Sequence, residues 1–267
     1  MALSALLVVA LPNPSSAEAV VINSVHSALA DRTAHMDMSV TVDSGGQHTT
    51  GSGSGVLDFT QNAMQLHLDV AAAGQQVGID EVLVGQTLYM GGDAFGSLLN
   101  QQFPGKSWLS LDLGSIQKAL GSNASSLSNS TNPAAMLRLL EQRGNTVVAL
   151  GPSTVNGTAV QGYAVTFDPA KMRAELQSPS LPSWIRDATS QVDFAHVTMK
   201  VYVDGGGLLR RWTQSMRVTT AVSTLDTTDT MDFSDYGAAL QVSAPPPDQV
   251  LPFDQFLQSS STELTPS

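Results

Sequence analysis

Apolar and polar residues alternate along several stretches of the chain, a pattern that predicts β-strands with one buried face. The clearest stretch runs from Ala195 to Asp204, where Val197 and every second residue after it is apolar. Three glycines then lead into another alternating stretch, so the pair is predicted to form a hairpin, because glycine adopts positive φ at little cost. Stretches of the same kind begin near Met36 and Met64. Together they predict a long antiparallel sheet with one apolar face on which methionine recurs.

Segments with helical spacing of apolar residues interrupt these strands. Helices are predicted at about 15–31, 93–102, 115–120 and 133–143, with another that begins at Asp168-Pro169. Strands are predicted at about 34–43, 56–60, 63–71, 76–84, 87–90, 106–111, 146–150 and 154–167, the last with an Asn156-Gly157 turn, and four more are predicted between 194 and 234. This order predicts an α+β fold in which one large curved antiparallel sheet wraps around several helices and leaves space between the sheet and the helices.

The segment Ser44–Gly55 is predicted to be a loop. Its Gly51-Ser-Gly-Ser-Gly55 sequence has the composition of a phosphate-binding loop. However, it lacks the lysine of such loops, and it precedes a predicted strand rather than a helix whose N-terminus could hold an anion. It is therefore interpreted as a flexible hairpin connection.

Composition limits the partners. The chain has 267 residues, 42% of them hydrophobic and 13% charged, with a formal net charge of −11. Nucleic acid is not expected as a partner, because phosphate recognition needs a lysine and arginine footprint. The same acidity disfavours electrostatic binding to anionic lipid surfaces.

Residues with catalytic or metal-binding chemistry are sparse. The absence of cysteine excludes disulfides, thiolate catalysis and cysteine-ligated metal. The five histidines show no i, i+4 pair and no nearby carboxylate cluster in the sequence, and no serine-hydrolase or zinc-protease motif occurs. We therefore expect no catalytic residue, no metal and no cofactor, and a protein that is not an enzyme.

Three regions are predicted along the chain. Residues 1–17 contain an apolar run too short to span a bilayer, followed by small residues at Ser15 and Ala17 that suit a signal-peptidase site. They are interpreted as the remnant of a signal peptide or, alternatively, as an apolar segment docked on the domain. Residues 18–243 are predicted to form a single domain built on this curved sheet. Residues 244–267 are predicted to be a Pro-rich and then polar C-terminal tail.

Several segments resemble the actinobacterial LppX/LprG-type lipoproteins, which are relatives of the LolA-like lipoprotein carriers. The resemblance extends over about 17–253 and concerns the order and position of segments rather than a catalytic signature. The segments are Gly53–Phe59, the hairpin Val82–Met90 with Lys106-Ser-Trp108 after it, Val160–Phe167 followed by Asp168-Pro-Ala-Lys-Met172, and the turn Asp204-Gly-Gly-Gly-Leu208.

This resemblance implies a half-barrel with an apolar cavity that accepts the acyl chains of envelope lipids. It implies binding and transport of acylated lipids or glycolipids, a membrane transporter or another envelope protein as partner, and a location at the extracytoplasmic face of the cell membrane. Lipoproteins of the family are anchored through a lipid-modified N-terminal cysteine. The printed sequence contains no cysteine and cannot be lipidated by that route.

The apolar positions of the predicted strands and of the helix 133–143 give candidate cavity-lining residues. They are Met38, Val40, Leu57, Phe59, Leu66, Leu68, Leu137, Leu140, Met199, Val201, Met216 and Val218. Methionine suits such a wall, because its unbranched side chain adapts to ligands of varied shape. Ordinary core packing is the competing interpretation of each single residue.

The leading hypothesis is a monomeric, non-enzymatic lipid carrier of the cell envelope. The alternative is a sensor or scaffold domain of the same fold, which binds a protein partner through an apolar surface and has a filled core. A void of several hundred cubic ångströms favours the first hypothesis, whereas a packed interior with an exposed apolar patch favours the second.

Overall fold

One continuous sheet dominates the fold. The computed structural model describes residues 14–72, 75–113, 140, 146–177, 190, 192–219 and 224–256. Among these residues lie three α-helices, one short 3-10 helix at Pro247–Gln249 and twelve strands. The helices are α1 Pro14–Ala30, α2 Asp93–Gln102 and α3 Pro169–Leu176. The strands are β1 Thr33–Ser44, β2 Gln47–Asp58, β3 Ala63–Ala72, β4 Gln75–Val84, β5 Thr87–Gly91, β6 Trp108–Asp112, β7 Thr146–Val155, β8 Thr158–Thr166, β9 Val192–Asp204, β10 Leu209–Thr219, β11 Thr224–Ser234 and β12 Val250–Pro252.

The strands follow the order β12-β6-β5-β4-β3-β2-β1-β11-β10-β9-β8-β7. Each neighbouring pair is antiparallel except β12 and β6, which are parallel. The sheet is curved and does not close into a barrel. The predicted α+β class with a large curved antiparallel sheet is therefore confirmed.

The core lies on the face of the sheet that carries Ala34, Leu57 and Met64, which we call the inner face. These three residues are opposite one another in β1, β2 and β3, and the row continues through Leu83 and Leu88. All five are buried in one cluster with the apolar side of α1, namely Ala17, Val21, Val25 and Ala28. Helix α1 therefore packs on the inner face and covers one end of it.

A smaller apolar cluster lies at the β6 edge. Leu109 of β6 and Leu251 of β12 are paired neighbours, and both pack against Leu99 of α2. Phe103 and Phe256 add to the cluster. Segment 250–256, part of the predicted C-terminal tail, is thus packed on the sheet.

The opposite face, which we call the outer face, carries polar ladders between β10 and β11. Arg211 pairs with Asp232 and Arg217 pairs with Asp226, with Nε–Oδ1 distances of 2.5 and 2.7 Å. Between these ion pairs, side-chain hydroxyls hydrogen-bond across the same two strands. The arginines of this region therefore belong to cross-strand pairs with aspartates.

Two local predictions were wrong. Gly51–Gly55 lies inside β2, because the hairpin turns earlier, at Gly45 and Gly46, which both have positive φ. The region from Val192 to Ser234 holds three described strands rather than four, because β9 and β10 are longer than the sequence pattern suggests. The helices predicted at 115–120 and 133–143 lie outside the described residues, apart from Leu140.

Candidate functional site

The inner face brings together most of the residues predicted to line a cavity. Strand register and the contacts of the core place ten of them on this face, namely Met38, Val40, Leu57, Phe59, Leu66, Leu68, Met199, Val201, Met216 and Val218. Leu140 is buried in the same core cluster. Leu137 lies outside the described residues. Whether these side chains line a ligand cavity stays a prediction.

Burial on the inner face falls from one end of the strands to the other. In β1, Ala34 and Met36 are fully buried near α1, whereas Met38, Val40 and Val42 are only partly buried. Most of the predicted residues follow this gradient, but Phe59 lies at the buried end of the strands and is only partly buried, and Met199 lies level with Val40 and is buried. The fully buried ones are Leu57, Leu66, Leu140, Met199 and Val201, and the partly exposed ones are Met38, Val40, Phe59, Leu68, Met216 and Val218. Val201 has an exposed fraction of 0% and therefore borders no space that a water molecule could enter. The partly exposed group is the better candidate for ligand contact.

A strip without side chains crosses this face along β2. Gly51, Gly53 and Gly55 face the inner side, opposite Val40, Met38 and Met36 of β1. A Cβ atom at Gly53 would overlap the carbonyl oxygen of His67 in β3. The glycines therefore allow the backbones of β2 and β3 to approach closely.

Two carboxyl groups interrupt the apolar face. Glu81 of β4 lies between Leu66 and Met90, and Asp229 of β11 lies between Val40 and Gln214. Burial raises the pKa of both carboxyl groups. In the described structure neither carboxyl group has a hydrogen-bond or ion-pair partner. Both are acidic side chains on an otherwise largely apolar face.

Trp212 of β10 adds a buried hydrogen-bond donor. Its ring lies in the inner-face row between Val201 and Met231, and the residue is 3% exposed. Among the residues that the structure describes, the indole Nε1 has no hydrogen-bond partner. Tryptophan N–H groups in cores ordinarily donate to an acceptor, so the indole N–H of Trp212 is an unusual, unsatisfied donor.

A separate groove of about 630 Å³ lies on the outer face. It is bordered by His35 and Asp37 of β1, Gln65 and His67 of β3, and the segment Ala239–Gln241. Apart from the inner-face residues Met36 and Gly55, its walls are outer-face or loop residues. No sequence pattern indicates this groove, because its walls come from distant segments.

One histidine has carboxylate neighbours that the sequence does not reveal. His67 Nδ1 lies 2.6 Å from Asp80 Oδ1 across β3 and β4, and Nε2 lies 3.6 Å from Asp69. The hydrogen bond to Asp80 raises the pKa of His67, although desolvation opposes this shift. The contact with Asp80 could not be predicted from the sequence, because strand register joins residues thirteen positions apart.

In the described part of the chain, no group of three or more histidine or acidic residues is arranged to hold a metal ion. No described helix combines the length and the apolar character needed to span a membrane.

The amino-acid sequence matches no protein-family model and no curated protein. Among solved structures, the chain is similar to the lipoprotein LppX of Mycobacterium tuberculosis, with 12% identity, a TM-score of 0.48, and coverage of 86% of this chain and 100% of LppX. It is also similar to LprF of Mycobacterium bovis, with 13% identity, a TM-score of 0.40, and coverage of 88% and 99%. MucB in the MucA/MucB complex of Pseudomonas aeruginosa gives 15% identity, a TM-score of 0.33, and coverage of 88% and 60%. The LppX-type resemblance inferred from the sequence thus recurs among solved structures, as a likeness in chain arrangement alone.

Proposed function

We propose that the protein binds the acyl chains of amphiphilic lipids on its inner face and carries such lipids or lipoglycans in the cell envelope, without catalysing a reaction. The observation that supports this proposal best is the gradient of burial on the inner face. Apolar side chains continue beyond the part of the face that α1 covers and become partly exposed around the glycine strip. A folded chain ordinarily covers such a surface or uses it for binding.

Apolar contact alone supplies enough free energy for this function. Each buried methylene contributes roughly 0.8 kcal/mol, so a sixteen-carbon chain would gain on the order of 12 kcal/mol before the entropic costs of binding. A head group would remain toward the less buried end of the strands, where Gln214 and Thr227 face the inner side. The proposal needs no metal, cofactor or catalytic side chain.

Native mass spectrometry of gently purified protein tests the proposal. We expect a fraction of the protein to carry an additional mass that organic extraction releases as an acylated lipid. Repeated purification without any acyl species, together with no uptake of added lipid, would contradict it. The outer-face groove provides an internal comparison, because its polar walls are not expected to retain acyl chains.

A second candidate function is the binding of a protein partner, and one observation favours it. Val148 and Leu150 of the edge strand β7 point away from the core and are 55% and 49% exposed. Leu150 lies beside Tyr202 over Gly162, which extends the apolar patch. Among the described strands, β7 pairs only with β8, so its other edge can accept an added strand.

Affinity purification from an envelope extract distinguishes this function from lipid carriage. The wild type is compared with a double variant, Val148→Lys with Leu150→Lys, which leaves the inner face intact. A partner that is lost in the variant, in a protein that carries no lipid, would favour partner binding. Equal recovery of the same proteins by both forms would exclude this patch as the binding surface.

A further inference from the structure

The two carboxyl groups on the inner face restrict the chemistry of the polar part of the ligand. In β1 to β5 and β11, the described residues that face the inner side include Glu81 and Asp229 but no lysine, arginine or histidine. The two groups are separated by three strands, about 19 Å along the sheet at the usual strand spacing. They are therefore two separate contact points and not one acidic cluster.

Each carboxyl group lies among apolar neighbours in adjacent strands. Glu81 is opposite Leu66, which is 5% exposed, and opposite Met90, which packs against the core cluster. Asp229 is opposite Val40 in β1. By contrast, Asp204, Asp226 and Asp232 each pair with an arginine on other parts of the sheet. In the described structure, Glu81 and Asp229 have no arginine that balances their charge in this way.

A partly buried carboxyl group without a partner destabilises the folded protein, and it also opposes the binding of another negative charge nearby. A ligand that donates hydrogen bonds or carries a positive charge would relieve this cost on binding. An anionic ligand would increase it. The same two groups can therefore discriminate between amphiphiles with identical acyl chains.

Resting on the proposed acyl-chain binding, we propose that Glu81 and Asp229 select amphiphiles whose polar part donates hydrogen bonds, as hydroxyl or amine groups do, and reject anionic amphiphiles. Asp229 lies toward the less buried end of the face, beside Gln214, and contacts the polar part of the ligand. Glu81 lies closer to the packed end and contacts a donor group nearer the acyl chains. Both are specificity-determining residues and not catalytic ones.

Competition binding with three amphiphiles that share a sixteen-carbon chain tests this proposal, with palmitate, monopalmitoylglycerol and hexadecylamine each displacing a fluorescent acyl probe. We expect the wild type to bind the glycerol ester and the amine about tenfold more tightly than palmitate, which corresponds to about 1.4 kcal/mol. Asp229→Asn and Glu81→Gln should each reduce this ratio at least about threefold, mainly by improving palmitate binding. The uncharged glycerol ester distinguishes donor recognition from simple attraction of a cation to an acidic protein.

The matched control is Asp80→Asn, which removes the same charge from the next residue in β4 but on the outer face. This variant should keep the wild-type preference. Melting curves of all variants establish that they are folded. Equal affinity for the three amphiphiles, or a preference that the Asp80 variant changes as much as the Glu81 and Asp229 variants do, would overturn the selectivity proposal and leave acyl-chain binding intact. Binding of none of the three amphiphiles would instead overturn the proposed function, and the selectivity proposal with it.

Discussion

Individual carboxyl groups behave differently on the two faces of the sheet. Asp204 accepts hydrogen bonds from the backbone N–H groups of Gly206 and Leu208 and from Arg210, and although burial opposes ionisation, these bonds hold its pKa below the usual value. Glu81 has no such donors in the described part of the chain, and burial raises its pKa. The first carboxylate stabilises a turn, whereas the second destabilises the fold when it is ionised.

Replacing Glu81 by Gln should therefore increase stability at neutral pH. Because the folded-state pKa lies above the ordinary value of 4.5, the wild type is most stable below that value and loses stability as the pH rises through the raised pKa. The variant does not show this loss. We expect a gain of roughly 0.5–1 kcal/mol at pH 7 and none at pH 4, measured by urea unfolding at both values. A variant that is less stable at pH 7 would show that the carboxylate has a stabilising partner.

The opposite result is expected for Asp204→Ala. This change removes two backbone hydrogen bonds and the partly buried ion pair to Arg210, and it should lower the free energy of unfolding by about 2 kcal/mol. The wild-type contribution is present above pH 3.8, the usual value, and is lost as the pH falls through the lowered pKa.

Asp226→Asn is the control for the Asp204 variant, because its ion pair with Arg217 is much more exposed, at 45% and 41% of the two side chains. We expect a loss of less than about 0.5 kcal/mol. Equal losses in the two variants would mean that the turn hydrogen bonds contribute nothing measurable.

At the scale of single elements, β2 is distinguished by three glycines on its inner face. A strand with three glycines on one face loses side-chain packing, so its presence in the sheet needs a geometric reason. That reason is the approach of the β3 backbone, which leaves no room for a Cβ atom at Gly53 or Gly55.

Gly53→Ala should therefore prevent normal pairing of β2 with β3 and cost at least about 3 kcal/mol, or abolish folding. Gly96→Ala is the matched change in α2, where a Cβ atom has no neighbour within 4 Å. It should stabilise the protein by up to about 1 kcal/mol, because alanine is the better helix former. Thermal unfolding measures both. A Gly53 variant as stable as the wild type would show that the sheet can relax without the glycine strip.

Secondary-structure elements were predicted correctly from the sequence where apolar and polar residues alternate over a long stretch. The prediction failed where the composition of a strand is typical of a loop. The alternation around Met36, Met64 and Val201 placed β1, β3 and β9 correctly, because a one-sided apolar face requires period two. The glycines of β2 were mistaken for a loop, because local sequence does not reveal how closely another strand approaches. The Glu81 position was not recognised as an inner-face site, since only the register with Leu66 shows which way it faces.

At the scale of the whole molecule, the inner face combines a packed part with a partly exposed part. The sequence predicted the apolar face and ten of the residues on it, but it could not divide them by burial, since burial depends on where α1 crosses the sheet. The outer-face groove and the pairing of β12 with β6 were beyond sequence prediction, because they join segments far apart in the chain.

Two tryptophan substitutions distinguish the packed part of the inner face from the partly exposed part. Leu68→Trp should reduce acyl-chain binding at least about fivefold with little loss of melting temperature, because Leu68 is partly exposed beside the glycine strip. Val201→Trp should instead lower stability by about 1–3 kcal/mol or more, because Val201 is fully buried. Lipid binding and melting temperature are measured for both. Unchanged binding in the Leu68 variant with a large loss of stability would mean that Leu68 belongs to the packed core.

Photo-crosslinking with an acyl chain that carries a diazirine group tests most directly whether the inner face is the ligand site. After irradiation and proteolysis, mass spectrometry should find the label in peptides around Met38 and Val40, Leu68, and Met216, with an excess of unlabelled monopalmitoylglycerol suppressing the reaction. Label confined to the outer-face groove near His35 and Leu240, label on β7 near Leu150, or no competed label at all would contradict the account.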